Sequence, residues 1–145
     1  MATIGVFAFL RNDSGDVLCV RQNYPPFEWT LPGGRIEPRE SPLGALHREI
    51  LEETRCRIEV RRLIGTYAQP FADDLVLLFE GRILERAAWE PTGEIAALGF
   101  FPPTALPQPM NFRYRLRIAD AVAGRTGVVR VFGTPDSLLE AVPPV

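Results

Sequence analysis

The chain has 145 residues, of which 46% are hydrophobic and 23% charged, and its formal net charge is −2 at pH 7. This length and composition are typical of one globular domain and argue against a disordered chain. The slight acidity argues against binding to duplex nucleic acid, although a nucleotide needs only a few well-placed groups. All 16 basic residues are arginine, which excludes a Walker A loop and a lysine Schiff base.

The N-terminus and the two cysteines bear on where the protein works. The apolar run in MATIGVFAFLRN is about half as long as a membrane helix and follows no basic segment, so we expect neither a membrane anchor nor a signal peptide. Cys19 and Cys56 are too few for a disulfide framework. We expect two free thiols in a cytoplasmic protein, with a single disulfide as the alternative.

The first third of the chain predicts short strands joined by turns. Residues 3–10 and 16–20 are rich in β-forming residues and flank an Asn-Asp-Ser-Gly turn, which predicts a two-stranded hairpin. Further on, the segment from Leu31 to Gly34 has proline second and glycine third. That order is typical of a type II turn, whose third residue needs a positive φ.

The clearest helix begins after Ser41, a favourable N-cap that is followed by proline at the first helical position. We predict that this helix ends near Thr54. The remaining predicted elements are strands at 57–67, 74–84 and 95–101, a helix at 111–123, a strand at 128–132 and a short helix at 136–142. Strands outnumber helices, so we expect one α+β domain over residues 1–145 with helices packed on a mixed sheet.

One side of the first helix carries three carboxylates. Glu49, Glu52 and Glu53 fall within an arc of about 100°, and the spacings i,i+3 and i,i+4 make them repel one another on a solvated helix. Two explanations are open at this point. Neighbouring arginines such as Arg48 and Arg55 could pair with the glutamates on an ordinary charged surface. Alternatively, convergent carboxylates could hold a divalent cation such as Mg²⁺.

The segment before the helix favours the second explanation. A Gly-Gly bend and Glu40 bring backbone carbonyls and a fourth carboxylate towards the same helix. The spacing is Gly34, five residues, Glu40, seven residues, Arg48-Glu49-Ile50, one residue, then Glu52-Glu53. This pattern, within residues 34–56, resembles the signature of the Nudix (MutT-like) hydrolases.

The resemblance covers roughly residues 2–123 and leaves the tail at 124–145 unmatched. Within the motif, Arg55 and Cys56 stand where the family has a glycine and an aliphatic residue. A glycine there would supply a left-handed helix stop, so this departure concerns the end of the helix rather than the carboxylates. The resemblance implies a Nudix-type α/β/α sandwich, with a mixed sheet packed between helices.

The resemblance also implies roles for individual residues. Arg48 would orient carboxylates through charge-assisted hydrogen bonds, and Glu53 is the favoured general base. We further consider Arg21, Gly34 and Glu94 as candidates for substrate binding, with an ordinary loop carboxylate as the alternative for Glu94. The implied ligands of Mg²⁺, for which Mn²⁺ could substitute, are Glu49, Glu52, Glu53, Glu40 as an outer group, and the Gly33 carbonyl.

The substrate implied by the resemblance is a nucleotide-type small molecule, hydrolysed by a monomer or homodimer. Pro70 lies where ADP-ribose pyrophosphatases of the family carry a proline, which slightly favours a nucleoside diphosphate linked to another moiety. The short N-terminal segment points instead towards enzymes that cleave nucleoside triphosphates. Two further alternatives are a Nudix module that senses nucleotides without turnover and, less favoured because the chain has a single histidine, a prenyl diphosphate isomerase.

Overall fold

The computed structural model describes residues 2–142. Within these residues, nine strands form two sheets, accompanied by two α-helices and one short 3₁₀ turn, Pro70–Ala72. The strands and helices are β1 (Thr3–Phe9), β2 (Val17–Gln22), β3 (Trp29–Thr30), β4 (Gly33–Arg35), α1 (Pro42–Thr54), β5 (Cys56–Gln69), β6 (Asp74–Arg86), β7 (Ile95–Phe101), α2 (Phe112–Val122), β8 (Val128–Thr134) and β9 (Ser137–Val142).

The larger sheet has six strands in the order β4-β1-β6-β5-β8-β9, and the smaller one has the order β3-β2-β7. The larger sheet is mixed, because β1 runs parallel to β6 and β5 runs parallel to β8 while its other pairs are antiparallel. Strands β8 and β9 therefore extend the sheet beyond the part of the chain that carries the motif.

The two helices cover opposite faces of the six-stranded sheet. Alternate residues of β1 point to opposite sides: Val6 and Ala8 pack in the cluster that contains Leu46 and Ile50 of α1. Phe9 packs in the other cluster, which contains Ile118 of α2. The α+β sandwich with a mixed sheet between helices, predicted from the sequence, is confirmed.

Helix α1 has the boundaries that its capping residues predict. The Ser41 side chain accepts a hydrogen bond from the Gly44 backbone N–H, and Pro42 occupies the first turn. The helix stops because Arg55 adopts a left-handed conformation with φ of 59° and donates its N–H to the Leu51 carbonyl. Arginine thus supplies the stop for which the family uses glycine, and the departure noted above leaves the helix end intact.

Two local predictions were wrong. The turn at residues 12–15 forms, but only one isolated bridge, Arg11 to Val17, flanks it within the described residues, and β1 and β2 belong to different sheets. Residues 137–142 form strand β9 instead of a short helix, because they pair with β8 along the edge of the large sheet. In both places a tertiary pairing decided the structure, which local patterns do not reveal.

The described residues contain no helix long and apolar enough to span a membrane. Both cysteines are buried and free, as predicted. Burial raises the pKa of the Cys19 thiol to about 12, which is the behaviour of an inert core thiol.

Candidate active site

A cleft of about 210 Å³ lies where the two sheets, the end of α1 and the start of α2 meet. Each of these four elements contributes to its wall. The lining residues are Gly5, Phe7, Gly33, Gly34, Arg35 and Asp74 from the large sheet, Gln22, Thr30 and Ile95 from the small sheet, Tyr24 from a loop, Glu53 from α1 and Tyr114 from α2.

The Gly-Gly bend forms one end of this cleft, and both glycines are required there. Gly33 has a φ of +153°, and a Cβ on it would lie 2.1 Å from the Val6 carbonyl oxygen. A Cβ on Gly34 would lie 2.5 Å from the carboxyl carbon of Glu49. The predicted type II turn is replaced by extended backbone that enters β4, because residues 33–35 pair with β1. The missing side chain of Gly34 lets α1 approach the bend closely, and that of Gly33 lets the bend pack against β1.

Glu53 joins helix and bend directly. Its Oε1 accepts a hydrogen bond of 2.7 Å from the Gly33 backbone N–H. Trp89, in the connection between β6 and β7, donates its indole N–H to the Glu53 backbone carbonyl at 2.7 Å. This bond satisfies a carbonyl in the last turn of α1, which has no partner within the helix. The main chain and the side chain of Glu53 are therefore both fixed.

Arg48 connects the remaining carboxylates of the motif. It binds Glu40 through two hydrogen bonds, from Nε at 2.6 Å and from Nη2 at 2.9 Å, and it binds Glu49 from Nη1 at 2.9 Å. A longer bond of 3.4 Å reaches Glu52. These contacts raise the pKa of Arg48, and its hydrogen bonds hold the pKa of Glu40 well below its usual range. Glu40 is thus engaged in orienting Arg48, which favours the outer role considered for it.

The ionised forms of Glu53 and Glu49 are both disfavoured. Only 8% of Glu53 is exposed, and burial, followed by repulsion from Glu49, Glu94 and Glu52, raises its pKa to about 8 despite the Gly33 N–H. Burial also raises the pKa of Glu49, and Arg48 opposes this shift only in part. The negative charge of Glu94, in the loop before β7, also raises the pKa of both groups. The four carboxyl groups thus disfavour one another's ionisation.

The donor set suits a hard divalent cation. Carboxylate oxygens are preferred ligands of Mg²⁺, and the raised pKa values of Glu49 and Glu53 indicate that a cation would relieve their repulsion. Within residues 2–142, no three acidic, histidine or cysteine side chains already surround one point at ligand distance. The side chain of Glu52 is 60% exposed and lies 3.4 Å from Arg48.

Of the predicted site residues, Gly33, Gly34 and Glu53 line the cleft. The predicted residues that are not among its lining residues are Arg21, Glu40, Arg48, Glu49, Glu52 and Glu94. Arg21 donates a hydrogen bond to the Phe27 carbonyl. Its neighbour Gln22 lines the cleft instead, because successive residues of β2 face opposite sides. Arg35 and Asp74 also line the cleft and were missed. The position of Arg35 directly after the Gly-Gly bend could have indicated it, whereas no sequence signal distinguishes Asp74.

Comparisons with known proteins agree on the family. A model of the NUDIX domain matches residues 1–121. The chain is 39% identical over 128 residues to a putative 8-oxo-dGTP diphosphatase of Bacillus subtilis (strain 168), covering 88% of this chain and 85% of that protein.

Solved structures show the same fold. The crystal structure of a NUDIX hydrolase from Nitrosomonas europaea has a TM-score of 0.73 at 24% identity, over 87% of this chain and 75% of that one. The crystal structure of a UDP-X diphosphatase has a TM-score of 0.72 at 25% identity, over 88% of this chain and 66% of that one. The arrangement of the Gly-Gly bend against the acidic side of α1, the domain match and the 39% identical relative lead to one conclusion: the chain belongs to the Nudix hydrolase family.

Proposed function

We propose that the cleft hydrolyses a phosphoanhydride bond of a nucleotide in a reaction that depends on Mg²⁺, for which Mn²⁺ can substitute. The observation that carries this proposal is the contact between the Glu53 carboxylate and the Gly33 N–H at the wall of the cleft. It fixes a buried carboxylate with a perturbed pKa at a concave site, a combination typical of catalytic groups.

The proposed ligands of the cation are Glu49, Glu52, Glu53 and the Gly33 carbonyl. When bound there, Mg²⁺ would neutralise phosphate oxygens and acidify water. Glu40 would act indirectly, since its two bonds to Arg48 hold the guanidinium that orients Glu49. Arg48 would thus be a positioning residue.

Glu53 is the proposed general base. One of its oxygens is held by Gly33, and the other makes no hydrogen bond within the described residues. In the proposed step, a water oxygen attacks a phosphorus atom of the anhydride while Glu53 takes the water proton. The bond from phosphorus to the bridging oxygen breaks, and the leaving phosphate keeps that oxygen. Arg35, which lines the cleft beside the bend, would contact the phosphate charge.

Two substrate types are compatible with this site. A nucleoside triphosphate is favoured, because the relative with 39% identity over most of both chains is described as a putative 8-oxo-dGTP diphosphatase. A nucleoside diphosphate linked to another moiety is the second candidate. The structural similarity to a UDP-X diphosphatase supports that candidate at 25% identity.

The proposal is tested by measuring product release from a nucleotide panel with Mg²⁺ and with excess chelator. The panel contains deoxynucleoside triphosphates, ADP-ribose, nucleotide sugars and dinucleoside polyphosphates. We expect Mg²⁺-dependent hydrolysis with greatest kcat/KM for a triphosphate. Greatest kcat/KM for a nucleotide sugar or ADP-ribose would select the second candidate. Saturable nucleotide binding without turnover of any compound would indicate a sensing module and overturn the proposal.

A further inference from the structure

We infer that Asp74 is a specificity-determining residue that selects a guanine-type base at the end of the cleft away from the Gly-Gly bend. This inference rests on the proposed function, because it assigns the phosphates of the same nucleotide to the bend. It depends on three features of the structure: the separation of the two ends, the hydrogen bonds of Asp74 and an unpartnered acceptor on Gln22.

The register of the large sheet sets the separation. Gly33 pairs with Phe7 in β1, and Asp74 pairs with Thr3, four residues away along the same strand. Four residues span about 13 Å and the two strand spacings from β4 to β6 about 9.6 Å, which gives about 16 Å between the two positions. Both residues nonetheless line one cleft. Phosphates bound at the bend would therefore leave the base directed towards Asp74.

The carboxylate of Asp74 is held in place and retains free acceptor capacity. Oδ1 accepts a hydrogen bond from Thr3 Oγ1 at 2.5 Å, and Oδ2 accepts one from Gln69 Nε2 at 2.6 Å. A carboxylate has about four lone-pair sites, so each oxygen can accept one more hydrogen bond. Two adjacent acceptors with a fixed orientation suit a ligand that offers two adjacent N–H donors.

A second wall of the cleft also carries an acceptor that is free to bind an N–H donor of the ligand. Within the part of the chain that the structure describes, Gln22 Oε1 is buried and accepts no hydrogen bond. Buried polar atoms in folded proteins are almost always paired, so an unpaired carbonyl oxygen in a cleft indicates a missing donor. Phe7 and Tyr114 also line the cleft; their rings pack edge to face with centroids 5.6 Å apart and supply an apolar surface for a planar base.

Among the common bases, guanine matches this arrangement. Its Watson–Crick edge carries the ring N1–H next to the 2-amino group, which are two adjacent donors. Adenine and cytosine present a ring nitrogen acceptor on that edge, which would face the carboxylate oxygens unfavourably. Uracil and thymine offer a single N–H between two carbonyl oxygens. A site that binds substrate N–H groups also rejects an analogue that lacks one of them.

The test compares dGTP, dITP and dATP as substrates of the unmodified protein with Mg²⁺, since dITP differs from dGTP by the absence of the 2-amino group. We expect kcat/KM for dGTP to exceed that for dITP by at least about 10-fold and that for dATP by more. In Asp74→Asn, the dGTP to dITP ratio should fall towards one. Asp73→Asn changes the neighbouring acid, which does not line the cleft, and should keep the ratio of the unmodified protein.

A binding measurement separates this inference from the proposed function. Titration calorimetry with GMP and IMP, carried out in chelator, should give tighter binding of GMP to the unmodified protein and equal binding to Asp74→Asn. Equal affinity and equal kcat/KM for the guanine and hypoxanthine compounds would overturn the role of Asp74 and leave hydrolysis standing. Absence of turnover with tighter GMP binding would instead overturn hydrolysis alone. If Asp74→Asn does not fold, the comparison of guanine with hypoxanthine compounds on the unmodified protein still tests the inference, because equal values would overturn it.

Discussion

Glu53 in the cleft and Asp120 in α2 are both buried carboxylates, but their surroundings are opposite. Asp120 is fully buried and accepts hydrogen bonds from the Tyr67 hydroxyl at 2.9 Å, from Arg125 at 2.7 Å and from two nitrogens of Arg130 at 2.7 Å. Glu53 is 8% exposed, and its carboxylate accepts one hydrogen bond among the residues that the structure describes, from the Gly33 N–H. One carboxylate is neutralised by two cations, and the other faces further carboxylates.

The pKa values follow from this difference. Burial raises the pKa of Glu53 to about 8, and neighbouring carboxylates add to the shift. Burial acts in the same direction on Asp120, but the hydrogen bonds from Arg130, Arg125 and Tyr67 outweigh it and lower the pKa. The ionised form is therefore stabilised at Asp120 and destabilised at Glu53. We conclude that Asp120 stabilises the fold. The raised pKa of Glu53 costs stability and is typical of a catalytic group.

The largest expected effect is on stability at Asp120. Asp120→Asn removes the charge between Arg125 and Arg130 and should lower the free energy of unfolding by about 3 kcal/mol, as expected when one partner of a buried ion pair is removed. Urea unfolding measures this change, and Asp13→Asn in the exposed 12–15 turn is the control. Activity per folded molecule should be unchanged. A 100-fold loss of kcat in folded Asp120→Asn protein would contradict the conclusion that Asp120 stabilises the fold without taking part in catalysis.

The next effect is on turnover at Glu53. Glu53→Gln should lower kcat by at least about 10²-fold, because the amide cannot take the water proton, while circular dichroism shows an intact fold. Glu52→Gln should have a similar effect through loss of the proposed cation ligand. Glu59→Gln, an exposed position on β5, is the matched control. If either cleft variant retained half of the activity, that residue would leave the catalytic set.

The close contact between bend and helix gives a smaller effect. Gly34→Ala places a Cβ 2.5 Å from the Glu49 carboxyl carbon, so Glu49 has to move. We expect a loss of about 10-fold in kcat/KM, since small displacements of positioned groups are costly. Gly93→Ala is the control, because its Cβ would meet no atom within 4 Å. Unchanged kcat/KM in Gly34→Ala would show that Glu49 needs no fixed position.

The smallest effect concerns the pH dependence of stability without metal. Since the pKa of Glu53 rises from 4.5 to about 8 on folding, the native state holds a proton that the unfolded chain releases in this window. Stability should therefore fall as pH rises from 4.5 towards 8. In chelator, Glu53→Gln should have nearly the same stability as the unmodified protein at pH 4.5 and become progressively more stable than it as the pH rises towards 8. If the stability difference between Glu53→Gln and the unmodified protein did not change with pH, the raised pKa of Glu53 would be contradicted.

The features that local sequence predicts well are those with local causes. Helix α1 begins where Ser41 and Pro42 predict, and the carboxylates share one side of it because their spacing follows the helical repeat. The Gly-Gly bend was also predictable, as was its place next to the carboxylates. Its extended conformation was not, because pairing with β1 imposes it.

The features that sequence does not predict depend on contacts between distant segments. Strand β9 forms by pairing with β8, and Asp74 reaches the cleft because β6 lies beside β1. Gln22 lines the cleft and its neighbour Arg21 does not, because a step of one residue in a strand moves a side chain to the opposite face. The contact of Trp89 with the end of α1 has no sequence signal at all.

Binding of Mn²⁺, measured by water-proton relaxation on the metal-free protein, tests most directly whether the acidic side of α1 and the Gly-Gly bend form a cation site. We expect saturable binding by the unmodified protein and by Asp120→Asn, and binding weakened at least about 10-fold in Glu49→Gln, Glu52→Gln and Glu53→Gln. Equal Mn²⁺ affinity in the unmodified protein and the three glutamate variants would contradict the proposed site.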